Sequence, residues 1–386
     1  MRKLNKTAAC GILAAALAAG TLSGCSKAID GTKTVATVGD EKVTLGLASY
    51  MIGDQQAQTM SYYNMLMSQY GVSGSASNVW DQKGDDGKTV GESSKDGVMT
   101  TINQLYVLKA HAADYDVTIT DDEEKAIKEA AAEFIKDNDE KILKKLAVSE
   151  DDIVTYLELV TIRSKMHDPM TADVDTEVSA NEKDQTRVTI VKVSTEGTEK
   201  DDDGNTIDLT DEEKAQKKDL AQQVLDKVKA SDDVANADMD ALAKEVDDSL
   251  SATAPAFTTA GSTDDTLDEA VQDAALELKD GEVADSVIEG DDGYYVVRLD
   301  KMLDEDATEN KEKTVISERK SDLFDSTLED WVKEEKIKVK DKVWDQITVT
   351  DSVSFVYKSA DSSDDTKSSD AQDSTEDTSS QDNSED

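Results

Sequence analysis

The chain has 386 residues, with 86 Asp and Glu against 42 Lys and Arg and a formal net charge of −44. Such a balance excludes nucleic acid as a partner, because phosphates reward Lys and Arg. It also disfavours close contact with anionic lipid headgroups. Aromatic residues make up only 4% and prolines number two, while helix formers abound. An α+β chain of two domains, mostly helical with a small sheet, is the expected class.

In chain order, Arg2, Lys3 and Lys6 come first. The apolar stretch CGILAAALAAGTL (10–22) follows and is too short for a membrane span. Residues 1–24 read as a secretory signal, outside the fold. They end at Leu22-Ser23-Gly24, followed by Cys25, a run that resembles a bacterial lipobox. That resemblance implies cleavage before Cys25 and a lipid on its sulfur. A plain secretory signal with a chance cysteine is the alternative. Only Cys10 and Cys25 are present, and Cys10 would leave with the signal, so no internal disulfide can form. Buried acyl chains contribute about 0.8 kcal/mol per CH₂, so a multiply acylated Cys25 is a stable anchor. The expected location is the outer face of the bacterial cell membrane, with residues 25–32 as a tether.

Residues 34–45 read as two short strands about a Gly39-Asp40 turn. A helix follows at about 46–70, then a polar loop to 97. Val98, Ile102, Leu105, Leu108 and Ala112 recur at helical spacing. Thr120 and Ser149 are N-cap candidates for two more helices, each with acids in the first turn. His167-Asp168-Pro169 closes a helical domain over 33–169. Within it, MSYYNMLMSQYG (60–71) reads first as inward-facing helix core, by its spacing. The same Met and Tyr content also suits a surface that accepts varied apolar partners.

Residues 170–185 form a polar linker. The second domain, 186–303, opens on the alternating strand Arg187–Val193. A helix at about 210–230 comes next, then a shorter one at 239–246 and a crossing segment with Pro255. A helix from Asp264 to Leu278 leads to strands at 283–288 and 293–299, giving the order βαα(β)αββ. A charged helix then runs to about Lys336, and residues 304–348 are expected to return to the first domain. Residues 349–386 hold too little apolar surface to offset ordering entropy and read as a mostly disordered acidic tail.

Two stretches resemble a known family. VATVGDEKVTL with INQLYVLKAHAADYDVTITDDEEKAI resembles the N-terminal domain of SurA- and PrsA-type foldases. ALELKDGEVADSVIEGDDGYYVVRLDKM resembles the end of a parvulin-type prolyl isomerase domain. Together they cover most of 33–345. The resemblance implies a helical, chaperone-like N-terminal domain completed by a C-terminal helix, plus a parvulin-like domain. It implies unfolded or newly exported polypeptides as partners.

The site positions depart from the family pattern. Thr189 and Tyr295 stand where the family carries its two histidines, and in that register they would hydrogen-bond each other. Leu267 and Val271 stand where its pocket has Met and Phe. Phe257 supplies a pocket aromatic, and Asp247 or Asp248 fills the family's Asp/Cys place. These are groove candidates, and none is singled out as catalytic. Prolyl isomerisation breaks no bond; it needs only rotation over a barrier of about 18–20 kcal/mol. An apolar ring pocket and polar groups favouring the twisted amide suffice.

The reading is therefore a membrane-anchored chaperone with a degenerate isomerase domain. The alternatives are an active prolyl isomerase, and a solute-binding or structural surface lipoprotein. No cofactor is expected. His111 and His167 lie in separate helices without His or Cys neighbours, so no metal site is expected. GTEKDDDGNTIDLTDEE lacks the apolar eighth and bidentate twelfth places of an EF-hand. The apolar stripe of the C-terminal helix packs on its own first domain or on a second chain, which leaves a homodimer open.

Overall fold

The structure, a computed structural model, describes residues 29–69, 79–197, 206–260, 267–349 and 355. The signal, Cys25 and the tail beyond Phe355 lie outside the described residues. In chain order come β1 (Thr34–Val38), β2 (Glu41–Thr44), α1 (Leu45–Gln69), α2 (Val90–His111), α3 (Asp121–Asp137), α4 (Glu140–Leu146), α5 (Glu150–Met170) and α6 (Ala180–Lys183). Then follow β3 (Gln185–Ser194), α7 (Asp211–Lys229), α8 (Met239–Lys244), β4 (Ala252–Thr253), β5 (Ala256–Thr258), α9 (Glu269–Leu276), β6 (Ile288–Glu289) and β7 (Gly293–Lys301). The chain returns through α10 (Glu305–Glu334), β8 (Ile337–Val339) and α11 (Asp341–Trp344). This mixture of helices and small sheets is the expected α+β class. The chain divides into two compact units, Met1–Ser164 with Glu334–Asp386, and Lys165–Lys333.

The first unit is helices on a three-stranded antiparallel sheet of order β2-β1-β8. The β1–β2 turn needs Gly39, whose φ is +56°. Helix starts follow the sequence signals. Thr120 and Glu123 form a capping box at α3. At α5 the Ser149 hydroxyl accepts from the Asp152 N–H at 3.3 Å, and the Asp152 carboxylate accepts from the Ser149 N–H at 3.0 Å. That buried carboxylate also accepts from Thr44 Oγ1 at 2.6 Å, tying α5 to the end of β2. Pro169 does not stop α5. It sits in the last turn, where its missing N–H removes a single helix bond.

The returning segment is held by more than β8. Lys95 Nζ donates to the carbonyls of Trp344 (3.2 Å) and Ile347 (2.8 Å), and burial pulls its pKa below the usual lysine range. Phe355 is buried, with its ring 5.5 Å from Tyr50 and 5.1 Å from Phe134. The expectation that MSYYNMLMSQYG is helix core does not hold for the described part. Leu45–Ile52 of α1 contributes to the core, but Tyr62 and Met65 are 62% and 60% exposed.

The second unit is a five-stranded antiparallel sheet. Its path is β4-β3-β7-β6, and β5 pairs with β3 beside β4. Pro255 lies between the two short strands; its ring lacks a donor, but its carbonyl accepts from the Val188 N–H at 3.1 Å. Thr210 caps α7 through a box with Glu213, which gives a structural use to the end of GTEKDDDGNTIDLTDEE; residues 198–205 of that stretch lie outside the described ones. Asp304 caps α10 through the Ala307 N–H and pairs with Arg187, and both bonds hold its carboxyl below the usual carboxylate range.

Candidate groove of the parvulin-like domain

Strands β3 and β7 form the centre of the second unit, and their alternation sorts every candidate residue. The register pairs Val188 with Leu299, Thr189 with Arg298, Ile190 with Val297, and Lys192 with Tyr295. Successive side chains point to opposite faces. Val191, Val193, Tyr294 and Val296 join one cluster, with Ala221, Val224, Leu225 and Val228 of α7 and Met239 and Ala243 of α8. Val188, Ile190, Tyr295, Val297 and Leu299 join another, with Phe257, Leu267, and Val271 and Ala275 of α9.

Four of the five groove candidates therefore come together on the α9 face: Phe257, Leu267, Val271 and Tyr295. Thr189 does not. It lies one position out of register, on the α7–α8 face, where its hydroxyl donates to Asp300 Oδ2 at 2.6 Å and accepts from Arg298 Nη2 at 3.3 Å. The Thr189–Tyr295 hydrogen bond expected from the sequence is absent, because the two side chains project from opposite sides of the sheet. Asp247 ends up in the turn after α8, with its carboxylate taken by the N–H (2.8 Å) and hydroxyl (2.6 Å) of Ser249. Helix α8 packs on the α7 side, away from the Tyr295 cluster.

The groove candidates are closed against one another. Phe257 and Val271 are 0% exposed, Tyr295 4% and Leu267 8%. The Tyr295 hydroxyl donates to Asp292 Oδ1, and Lys192 Nζ reaches Asp292 Oδ2 at 2.5 Å. The same ammonium stands 5.9 Å from the centre of the Tyr295 ring. Burial and the adjoining Asp292 push the Tyr295 phenol well above its usual pKa, so it stays protonated and serves as a donor. Burial works to raise the pKa of Asp292, but the bonds from Lys192 and Tyr295 outweigh it and hold the carboxyl below its usual range.

The turn GDDG before β7 sets this geometry. Gly290 has no room for a side chain: a Cβ there would lie 2.5 Å from the Asp268 carboxylate and 2.9 Å from the Tyr295 ring. Asp268 in turn caps α9 through the Ala270 N–H at 2.9 Å and receives the Asp291 N–H at 2.7 Å. The hairpin end, the start of α9 and the Tyr295 ring are thus locked together. Lys192 and Asp292 were missed from the sequence. The signal was the strand's parity: Lys192 is the charged residue in the Val188, Ile190, Lys192 series that shares Tyr295's face.

Residues 199–312 match the PPIC-type PPIASE domain family. No curated protein matches the chain. Among solved structures, the chain is similar to the foldase protein PrsA of Lactococcus lactis at 14% identity, over 81% of this chain and 96% of that one, with a TM-score of 0.33. It is similar to PrsA of Streptococcus pneumoniae at 16% identity, over 64% and 87%, with a TM-score of 0.31. It is similar to a SurA-like chaperone of Campylobacter jejuni at 11% identity, over 80% and 99%, with a TM-score of 0.27. The family match agrees with the resemblance of the second unit to a parvulin-type domain, over residues 199–312.

Proposed function

We propose that the protein is an extracytoplasmic chaperone that binds newly exported polypeptides near the membrane, anchored through lipid on Cys25, and that its parvulin-like domain is degenerate as an isomerase. The observation that carries the second half is the closed groove. A prolyl ring needs an apolar pocket, and Phe257, Leu267, Val271 and Tyr295 fill that region themselves. The polar group beside it is spent internally, since Tyr295 and Lys192 both bind Asp292. Fold alone does not establish isomerase chemistry, so the site decides. Support for the first half is the family match together with the Leu-Ser-Gly-Cys run before Ser26.

Proline-limited refolding of a model substrate tests this. Uncatalysed isomerisation takes about tens to hundreds of seconds, so acceleration is easy to read. The mature chain is expected to leave the slow phase unchanged while suppressing aggregation of an unfolded client. Acceleration that Tyr295→Phe abolishes would sink the degenerate reading, because the phenol–carboxylate–ammonium group would then be working chemistry.

A further inference from the structure

The distal half of α1 is built unlike the rest of the surface. Residues 55–69 contain no charged side chain, in a chain where 33% of residues are charged. Gln55 lines a shallow cleft with Val90 and Ser93 of the first turn of α2. Lys109 near the end of α2 reaches Glu41 of β2, so α1 and α2 run antiparallel. From Gln55, α1 continues for about 20 Å at 1.5 Å per residue. Tyr62 and Met65 are exposed on that extension, three residues apart and so on one face. Leu66, four residues from Tyr62, is half-buried next to them, and Tyr63 flanks it on the helix surface, also half-buried. A monomer's exposed apolar groups are usually scattered, and a contiguous strip marks an interaction surface.

Charge tells what the strip meets. The segment 81–96, which lines the cleft at the base of the extension, holds five acids against three lysines. Lys88 pairs with one of those acids, Asp96, at 2.5 Å, and the segment keeps a surplus of two acids. The whole chain carries −44. An apolar strip rooted in an acidic surround favours apolar segments that also carry Lys and Arg, and it repels acidic ones. Methionines let the strip fit varied sequences. We propose that the Tyr62–Met65 face of α1 is the client-contacting surface, and that it selects cationic amphipathic segments of unfolded polypeptides. This rests on the chaperone reading and names its substrate class.

The test uses the mature chain, two amphipathic peptides with the same apolar positions and either Lys or Glu at the polar ones, and fluorescence anisotropy. Wild type is expected to bind the Lys peptide at least about tenfold more tightly than the Glu peptide, and Tyr62→Ser with Met65→Ser to lose about tenfold on the Lys peptide. Both substitutions are at exposed positions, so folding is retained and circular dichroism checks it. Unchanged binding in the double variant overturns the proposal, since the attraction would then be diffuse charge. A wild-type dimer that the variant converts to monomer also overturns it, the occupant being a second copy. If wild type suppresses aggregation and the variant does so equally well, this surface is wrong while the chaperone reading stands. If wild type suppresses none, the chaperone reading itself fails.

Discussion

The two faces of the five-stranded sheet come from the same two strands, and four of the five groove candidates fall on one of them. The α7–α8 face buries Val191, Val193, Leu225 and Val296, and its polar group is Thr189, Arg298 and Asp300. The α9 face buries Val188, Ile190, Phe257 and Val297, and its polar group is Lys192, Asp292 and Tyr295. Each face has an apolar cluster of fully buried side chains, and each has a polar trio that satisfies itself. A binding face differs from a core face by leaving apolar area and polar capacity for a ligand. Here the groove face is finished as a core face is, and on that likeness the proposed degenerate reading rests.

The largest effect that would break this equivalence is on stability. Phe257→Ala is expected to cost about 3–5 kcal/mol, and Leu225→Ala on the opposite face about 2–5 kcal/mol, because both residues are fully buried and truncation leaves a cavity. Urea unfolding of the intact chain measures both. A cost well under about 1 kcal/mol at Phe257 alone would mean that its ring borders an open pocket, and the two faces would no longer be alike.

A middle-sized effect tests the α7–α8 polar group. Arg298 is 9% exposed and donates to the carbonyls of Val234 (3.2 Å) and Ala237 (2.8 Å) as well as to Asp300 (2.7 Å). Arg298→Met leaves these acceptors unpaired and is expected to cost about 1–3 kcal/mol. Thr189→Val removes two bonds of the same group, the one donated to Asp300 and the one accepted from Arg298, and is expected to cost about 1–2 kcal/mol. Neither change is expected to alter client protection or refolding rates. A change in refolding rate from Thr189→Val would return Thr189 to the groove, against its placement.

The elements were legible in the sequence where local chemistry dictates them. Capping residues such as Thr120 and Ser149, the Gly39 turn and the alternation in β3 all announce themselves through short-range patterns. The order of strands and helices in the parvulin-like domain followed from the same signals. What failed was register. Aligning β3 by resemblance put Thr189 opposite Tyr295, and a slip of one residue in a strand sends a side chain to the other face. The alternation of Val188, Ile190 and Lys192 constrained the face but not the pairing partner, which only the β3–β7 ladder fixes. Burial along α1 failed for a different reason. A Met and Tyr stripe has the same spacing whether or not a neighbour covers it, and α1 outruns its packing against α2.

The smallest effect sharpens the comparison most, because it concerns the polar trio that closes the groove. Asp292 has a folded pKa below its unfolded value of about 3.9. A depressed carboxyl contributes stability that is present above the unfolded pKa and is lost as pH falls through the folded one. Lys192→Met removes one of the two bonds responsible. Both partners are partly exposed, at 36% and 42%, so the pair is worth only about 0.2–1 kcal/mol at neutral pH. The stability difference between wild type and Lys192→Met is therefore expected to be flat from pH 7 to about pH 5 and to shrink below about pH 4. Tyr295→Phe removes the other bond, and the two changes are expected to be non-additive, since they share one carboxylate. A difference that stays constant down to pH 2, or strict additivity, would mean that Asp292 does not join Lys192 to Tyr295. The hydroxyl of Tyr295 would then be free for a bound peptide, and the α9 face would regain the polar capacity that a working groove requires.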